Sequence, residues 1–154
     1  MAGVAAFLRQ HALIGIDTAA FIYYYERTLR YLPVTRLLFR GLATGVIAGV
    51  TSPVTLTELT VRPLALGQRQ LVNLYTAVLS QHPHMLIQDI TLSTARMAAE
   101  LRARHGVRTI DALQLATALG AGATGFVTND RRLSRVTELD VLVLEDTEEV
   151  QRMP

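Results

Sequence analysis

The sequence predicts an α/β fold, in which a parallel sheet of four or five strands has helices on both faces. Three observations predict the layers: short apolar runs recur along the chain, these runs are continuous rather than alternating, and helical patterns separate them. Continuous apolar runs are typical of strands buried on both faces of a parallel sheet. With 154 residues, half of them apolar, the chain is predicted to form one domain over residues 1–154.

The apolar runs define the predicted strands in chain order. They are ALIGI (12–16), GVIAGVT (45–51), HMLIQDI (84–90), TGFVT (124–128) and DVLVLE (140–145). Helical patterns occupy residues 18–31, 33–43, 53–62, 67–81, 91–105 and 109–121. Pro33 and Pro53 stand in the first turns of two of these helices, and Thr91 and Gly106 suit the two ends of another. Residues 1–11 precede the first strand as a short N-terminal extension.

No segment predicts a membrane span or an export signal. The longest weakly polar run, residues 41–56, contains three glycines and a proline and is shorter than the roughly 20 residues that cross a bilayer. The N-terminus lacks a basic segment followed by a long apolar run and a small-residue cleavage site. We therefore expect a soluble, cytoplasmic protein.

Composition excludes several classes of protein. Without cysteine the chain forms no disulfide or cysteine-ligated metal site, and without lysine it cannot be a P-loop nucleotidase or form a pyridoxal Schiff base. Residues 1–137 hold 14 arginines and seven acids, a net charge of +7, whereas residues 138–154 hold one arginine and six acids, a net charge of −5. A basic body favours a polyanion such as nucleic acid, although a solvated arginine-rich surface would have the same composition.

Four acids stand near the carboxyl ends of predicted strands. Asp17 follows the strand ALIGI directly, and Asp130 follows TGFVT by two residues. Glu58 lies in the first turns of the helix after the second strand, and Asp111 opens the helix that leads into TGFVT. Because ligands bind outside the carboxyl ends of the strands in an open α/β sheet, we expect the four acids to converge on one edge.

Each acid also has a purely structural interpretation. Asp17 could cap the helix that follows it, and Glu58 could form a capping box with Thr55. Asp111 could favour a helix N-terminus through the macrodipole, and Asp130 could be a turn residue. These interpretations do not explain the helix that Asp111 opens. This helix is apolar on nearly every face, which indicates that it is buried.

Four carboxylates at one edge would repel one another, and their pKa values would rise unless a cation lay among them. Mg²⁺ or Mn²⁺ is the natural cation, because both prefer oxygen ligands. Such a site could bind phosphate oxygens through the metal and activate a water, while a carboxylate takes the proton. The residues therefore favour phosphodiester hydrolysis. The same repulsion between carboxylates predicts that Asp111→Asn stabilises the metal-free fold.

The segments IDTAAFIYYYE, TSPVTLTEL, RTIDALQLATAL and FVTNDRRLSRV stand in this order over roughly residues 12–145. Together they resemble the PIN domain, and most closely the VapC-type toxins of bacterial toxin-antitoxin pairs. The resemblance implies a PIN fold and a Mg²⁺- or Mn²⁺-dependent endoribonuclease acting on RNA. It also implies a homodimer that is inhibited by a small cognate antitoxin.

The resemblance assigns residues to the site. The catalytic and metal-binding acids that it implies are Asp17, Glu58, Asp111 and Asp130. Of these, Asp17 and Asp111 are the foremost candidates for direct metal ligands. The implied supporting residues are Thr18, Thr128 and Asn129. Arg131, Arg132 and Arg135 follow the fourth acid and could hold RNA phosphates or lie on a solvated helix. Ala19 stands where the family often has asparagine, which affects the expected contacts with substrate.

Other patterns leave alternatives open. GAGATG (120–125) matches the dinucleotide-binding fingerprint, but a helix precedes it and a strand follows, the reverse of the required order, so we predict a loop. Tyr23, Tyr24 and Tyr25 could stack on bases, although at least one of three consecutive helical tyrosines should lie in the core. The function could also be that of a PIN nuclease in RNA processing or DNA repair without an antitoxin, or of a non-catalytic PIN-like binding module.

Overall fold

All five predicted strands are present, and they form one parallel sheet. In the computed structural model, which describes residues 3–153, the strands are β1 (Leu13–Ile16), β2 (Ala48–Thr51), β3 (Met85–Ile87), β4 (Gly125–Thr128) and β5 (Asp140–Val143). Their order across the sheet is β3-β2-β1-β4-β5, and each neighbouring pair runs parallel. The carboxyl ends of the strands therefore lie along one edge, with β1 at the centre.

Helices connect the strands, as predicted. The α-helices of the described residues are α1 (Val4–Gln10), α2 (Thr18–Tyr25), α3 (Leu32–Thr44), α4 (Pro53–Ala65), α5 (Arg69–Gln81), α6 (Leu92–His105), α7 (Thr109–Gly120) and α8 (Glu148–Gln151). Short 3₁₀ turns cover Leu29–Tyr31, Arg131–Arg135 and Leu144–Asp146. Within residues 3–153, no helix is both long enough and apolar enough to cross a membrane.

Helices cover both faces of the sheet, which confirms the predicted fold class. Successive side chains of a strand point to opposite faces, and in β4 Val127 packs into one apolar cluster while Phe126 packs into another. The first cluster contains side chains from α1 to α5, and the second contains side chains from α6 and α7. The sheet is thus buried on both faces, which explains its continuous apolar runs.

The helix predicted over residues 18–31 is wrong in its length, because the chain turns at Arg27. This residue has a left-handed φ of 54°, and its N–H donates to the carbonyl of Tyr24 at 3.3 Å. The N–H of Thr28 donates to the carbonyl of Tyr23 at 2.9 Å. These two bonds are the Schellman pattern that closes a helix. Glycine usually occupies the left-handed position, so an arginine there provides no signal in the sequence.

Other helix ends follow the predicted signals. Pro33 and Pro53 lie in the first turns of α3 and α4, and Thr91 and Gly106 cap α6. Gly45 ends α3 with a left-handed φ of 73°. The strand predicted to begin at Gly45 therefore begins three residues later, at Ala48.

The N-terminal segment predicted as an extension, residues 1–11, contains a helix that belongs to the core. Val4, Phe7 and Leu8 of α1 are buried in the first apolar cluster. The N–H of Val4 donates to the carboxylate of Glu149 at 3.1 Å, which ties this helix to α8. The first two residues of the segment lie outside the described part of the chain.

Gly15 in β1 is closely packed by the second apolar cluster. A Cβ atom there would lie 2.4 Å from the ring of Phe126 and 2.6 Å from the Cβ of Ala118. We expect Gly15→Ala to lower the free energy of unfolding by about 1–3 kcal/mol, the usual cost of overpacking a core, as measured by urea unfolding. Gly120→Ala is the control, because a Cβ there meets nothing within 4 Å. Equal stability of the Gly15 variant and the wild type would contradict this packing argument.

Candidate active site

Asp17 lies at the centre of the carboxyl edge of the sheet, where β1 and β4 end side by side. It follows β1 directly and caps α2, with its Oδ1 accepting the N–H of Thr18 at 2.8 Å. Its Oδ2 accepts the hydroxyl of Thr128, the last residue of β4, at 2.6 Å. The capping role proposed for Asp17 is thus confirmed, and it coexists with a place at the edge where ligands bind.

Burial is the main reason that the pKa of Asp17 rises from 3.8 to about 6. The hydrogen bonds from Thr128 and Thr18 act in the opposite direction. The negative charges of Glu58 and Asp111 add to the rise, so both acids lie near enough to repel Asp17. Three of the four predicted acids therefore form one electrostatic group.

Glu58 is joined to the residue that follows Asp17. Its carboxylate accepts the hydroxyl of Thr18 at 2.8 Å, which connects α4 to α2. The capping box proposed for Glu58 is wrong, because Ser52 caps α4 and accepts the N–H of Val54 at 3.2 Å. Thr55 is instead fully buried. Glu58 is thus free of a local capping role, and its carboxylate is linked to Asp17 through Thr18.

Asp111 lies in the first turn of α7 and pairs with Arg108, the residue that precedes this helix. The Nε of Arg108 donates to Asp111 Oδ2 at 2.9 Å, and the same guanidinium lies 3.7 Å from Asp130 Oδ2. The Asp111 side chain is only 12% exposed. Arg108 therefore bridges two of the predicted acids and offsets their charge.

Asp130 lies at the start of the turn after β4, where it accepts the backbone N–H of Arg132 at 2.9 Å. The side chain of Arg132 donates to both carboxylate oxygens, at 2.9 and 3.0 Å from Nε. These hydrogen bonds from Arg132 hold the pKa of Asp130 below its ordinary value. Repulsion thus only adds to the raised pKa of Asp17, of which burial is the main cause, and the predicted rise is wrong for Asp130.

The donors at this edge suit a hard divalent cation. They are carboxylate oxygens and threonine hydroxyls, the ligand type that Mg²⁺ and Mn²⁺ prefer. A cation there would also offset the negative charges that Glu58 and Asp111 place near Asp17. As the side chains stand, no three acids or histidines within residues 3–153 surround a position for a metal ion. Arg108 and Arg132 neutralise part of the acidic group instead.

The supporting residues predicted for the site act in two ways. Thr18 and Thr128 donate hydroxyl hydrogen bonds directly to carboxylates of the site. Asn129 does not contact the acids in this way. Its Nδ2 donates to the hydroxyl of Tyr23 at 3.0 Å, and its Oδ1 accepts the N–H of Glu145 at 2.8 Å. Asn129 therefore ties the end of β4 to α2 and to the segment after β5.

The three arginines predicted to hold RNA all contact the protein's own acceptors. Arg132 pairs with Asp130, and Arg131 pairs with Asp146 at 2.6 Å. Arg135 donates to two backbone carbonyl oxygens, those of Arg132 at 2.9 Å and His105 at 3.3 Å. Of these arginines, only Arg132 contacts a predicted acid.

The structure also bears on two other sequence patterns. Tyr23, Tyr24 and Tyr25 are half-buried and pack against the first apolar cluster, so they line the core without being enclosed by it. Residues 120–125 lead from the end of α7 into β4, with Gly122 at a left-handed φ of 89°. The predicted loop is therefore confirmed.

Sequence reasoning missed a buried polar network beside the site. Gln114, in the middle of α7, is only 4% exposed. Its amide forms hydrogen bonds with Ser52 and Thr55 at the start of α4. The signal in the sequence is a single amide within the apolar run ALQLATAL.

Comparison with known proteins identifies one family. The family model described as PIN domain matches residues 14–139, most of the chain. Comparison with curated proteins gives no match.

Solved structures share the fold at low sequence identity. VapBC2 from Rickettsia felis, bound to a DNA fragment from its promoter, has a TM-score of 0.67 at 16% identity, covering 85% of this chain and 98% of that chain. A toxin-antitoxin complex from Klebsiella pneumoniae has a TM-score of 0.62 at 19% identity, covering 86% and 97%. DNA-bound VapBC from Salmonella typhimurium has a TM-score of 0.58 at 17% identity, also covering 86% and 97%.

Proposed function

Because this chain belongs to the PIN domain family, we propose that it is a metal-dependent endoribonuclease and the toxin of a type II toxin-antitoxin pair. The observation that carries the proposal is the acidic group around Asp17, at the edge of the sheet where open α/β folds bind ligands. Oxygen donors for a cation stand there beside arginines that suit phosphate. This combination favours phosphodiester hydrolysis.

Mg²⁺ or Mn²⁺ is the proposed cofactor. The residues proposed to hold it are Asp17, Glu58, Asp111 and Asp130. The chemistry supplied by the bound ion would be activation of a water and neutralisation of charge on the departing oxygen. Thr18 and Thr128 orient the carboxylates of Glu58 and Asp17 through their hydroxyl groups.

Glu58 is the acid best suited to take a proton from the attacking water. It accepts one side-chain hydrogen bond, from Thr18, whereas Asp17 has both oxygens engaged. Asp111 and Asp130 are ion-paired with arginines. A half-buried carboxylate that retains lone pairs can act as a general base.

Arg108 and Arg132 are proposed to bind RNA phosphates beside the acids, with Arg131 and Arg135 continuing this surface. The side chains of Arg108 and Arg132 are 67% and 57% exposed. Ion pairs of exposed side chains contribute only about 1 kcal/mol or less, so a guanidinium can exchange its carboxylate for a phosphate. Arginine's planar group suits the bidentate contact that a phosphate offers.

A small cognate antitoxin and a second copy of this chain are the proposed protein partners. The Klebsiella neighbour is described as a toxin-antitoxin complex, and the other two neighbours are VapBC assemblies. We expect the protein to act in the cytoplasm, where RNA substrates are found. A short upstream reading frame encoding a DNA-binding protein would distinguish a toxin from a PIN nuclease of RNA processing or DNA repair.

The testing experiment is cleavage of labelled structured RNA by the purified chain. We expect cleavage with Mg²⁺ or Mn²⁺, no cleavage in chelator, and no cleavage of single-stranded DNA of the same sequence. The metal requirement follows from the accumulated negative charge around Asp17. Gel electrophoresis of the products measures the result.

Two outcomes would contradict the proposal in different ways. Equal cleavage in chelator would show that the activity does not depend on a metal. Failure of the folded protein to cut any RNA in the presence of Mn²⁺ would favour a non-catalytic PIN-like binding module.

A further inference from the structure

Four buried side chains form a polar network at the carboxyl end of β2. The hydroxyl of Ser52 donates to Gln114 Oε1 at 2.7 Å, and Gln114 Nε2 donates to the hydroxyl of Thr55. The hydroxyls of Thr55 and Thr51 lie 2.6 Å apart. Each of the four side chains is at most 4% exposed, so the network is isolated from solvent.

This network joins two helices that lie on opposite faces of the sheet. Leu59 of α4 belongs to the first apolar cluster, whereas Leu115 of α7 belongs to the second. The two helices therefore share no apolar cluster that would determine their separation. The hydrogen bonds of Gln114 connect them directly, over the end of β2.

The connected positions lie one turn from two acids of the site. Gln114 follows Asp111 by three residues on α7, and Thr55 precedes Glu58 by three residues on α4. Residues three apart on a helix lie on the same side, one turn from each other. The amide of Gln114 thus joins α7 to α4 beside Asp111 and Glu58.

The network has a defined orientation, because both ends of the amide are used. The carbonyl oxygen accepts from Ser52 and the NH₂ group donates to Thr55. Ser52 also caps α4 by accepting the N–H of Val54, so loss of the amide would disturb the first turn of this helix. A buried polar group that loses its partner is costly, and the arrangement therefore resists displacement.

We propose that Gln114 is a positioning residue that sets the separation of the Glu58 and Asp111 carboxylates, and thereby the affinity of the site for its divalent cation. The proposal rests on the metal-dependent function proposed for this site. In this role Gln114 orients the metal ligands without contacting the ion itself. Loss of such a residue typically weakens metal binding about 10- to 100-fold.

The test compares Mn²⁺ affinity with stability in matched variants. Gln114→Leu removes both hydrogen bonds at similar volume. Thr117→Val is the control, because Thr117 lies on the same helix and is 1% exposed. Among the described residues its hydroxyl bonds only the carbonyl of Leu113 in its own helix, at 2.8 Å. Isothermal titration calorimetry measures Mn²⁺ binding, and urea unfolding in chelator measures stability.

We expect Gln114→Leu to weaken Mn²⁺ binding at least about tenfold and Thr117→Val to change it less than about twofold, even where both variants lose stability. Thr55→Val removes one hydrogen bond of Gln114 at nearly constant shape and should weaken binding by an intermediate factor. This variant carries the test if Gln114→Leu does not fold.

The outcomes separate this proposal from the proposed function. Lower stability of Gln114→Leu with the Mn²⁺ affinity of the wild type would make Gln114 a core residue only and overturn the positioning role alone. Absence of Mn²⁺ binding by the folded wild type would overturn that role together with the metal-dependent function.

Discussion

Asp17→Asn is expected to lower the rate of RNA cleavage at least about a thousandfold, equivalent to about 4 kcal/mol of transition-state stabilisation. Asparagine has nearly the same shape and can still accept the N–H of Thr18 that Asp17 accepts at 2.8 Å. It lacks the negative charge that we propose holds the cation. Activity is therefore lost while the fold is kept, and single-turnover cleavage with saturating Mn²⁺ measures the difference.

The matched control is Asp89→Asn. Asp89 is an exposed aspartate two residues after β3, near the same edge of the sheet. Its replacement should leave the cleavage rate within about twofold of the wild type, since surface substitutions of this kind have small effects. Circular dichroism checks that both variants are folded. More than a tenth of wild-type activity in the Asp17 variant would exclude this acid as a principal ligand.

The second large effect is a dependence of stability on pH in the absence of metal. Asp17 has its pKa raised from 3.8 to about 6, chiefly by burial. A raised pKa means that the folded state binds the proton more tightly than the unfolded state. The stability from this group is therefore present below pH 3.8 and is lost as the pH rises through about 6, by up to about 3 kcal/mol.

Comparison with the Asp17→Asn variant isolates this contribution from other titrating groups. Asp130, for example, has a lowered pKa and acts in the opposite sense, since its contribution to the stability of the fold is lost as the pH falls. We expect the variant to gain stability relative to the wild type between pH 4 and pH 7 in chelator. Urea unfolding at each pH measures the gain, and a constant difference across this range would contradict the burial of an uncompensated charge.

The structure changes which acid is expected to stabilise the metal-free fold when it is replaced. The sequence points to Asp111, whose replacement is expected to relieve repulsion among the four carboxylates. Arg108 pairs with Asp111 at 2.9 Å, so replacement there removes a favourable contact together with the repulsion. Asp17 has no arginine among its described partners and has the raised pKa. The stabilising substitution is therefore expected at Asp17.

The layers of the fold were predictable because they depend on local patterns. Continuous apolar runs mark strands buried on both faces wherever the strands lie in the sheet, and a proline or a threonine at a helix start acts within one turn. The errors occur where a local signal is missing. Arg27 ends α2 in a left-handed conformation without glycine, and α1 is buried by contacts with distant segments.

The position of the four acids near one edge follows from the sequence by itself. Strand ends are visible in the sequence, and parallel strands must end on the same side of a sheet. The pairing of these acids was decided only by the tertiary structure. Asp17 and its partner Thr128 are 111 positions apart, and Ser52 and Gln114 are 62 apart. Burial and charge pairing depend on which distant segments meet, so only the folded chain distinguishes an acid with a raised pKa from one that an arginine neutralises.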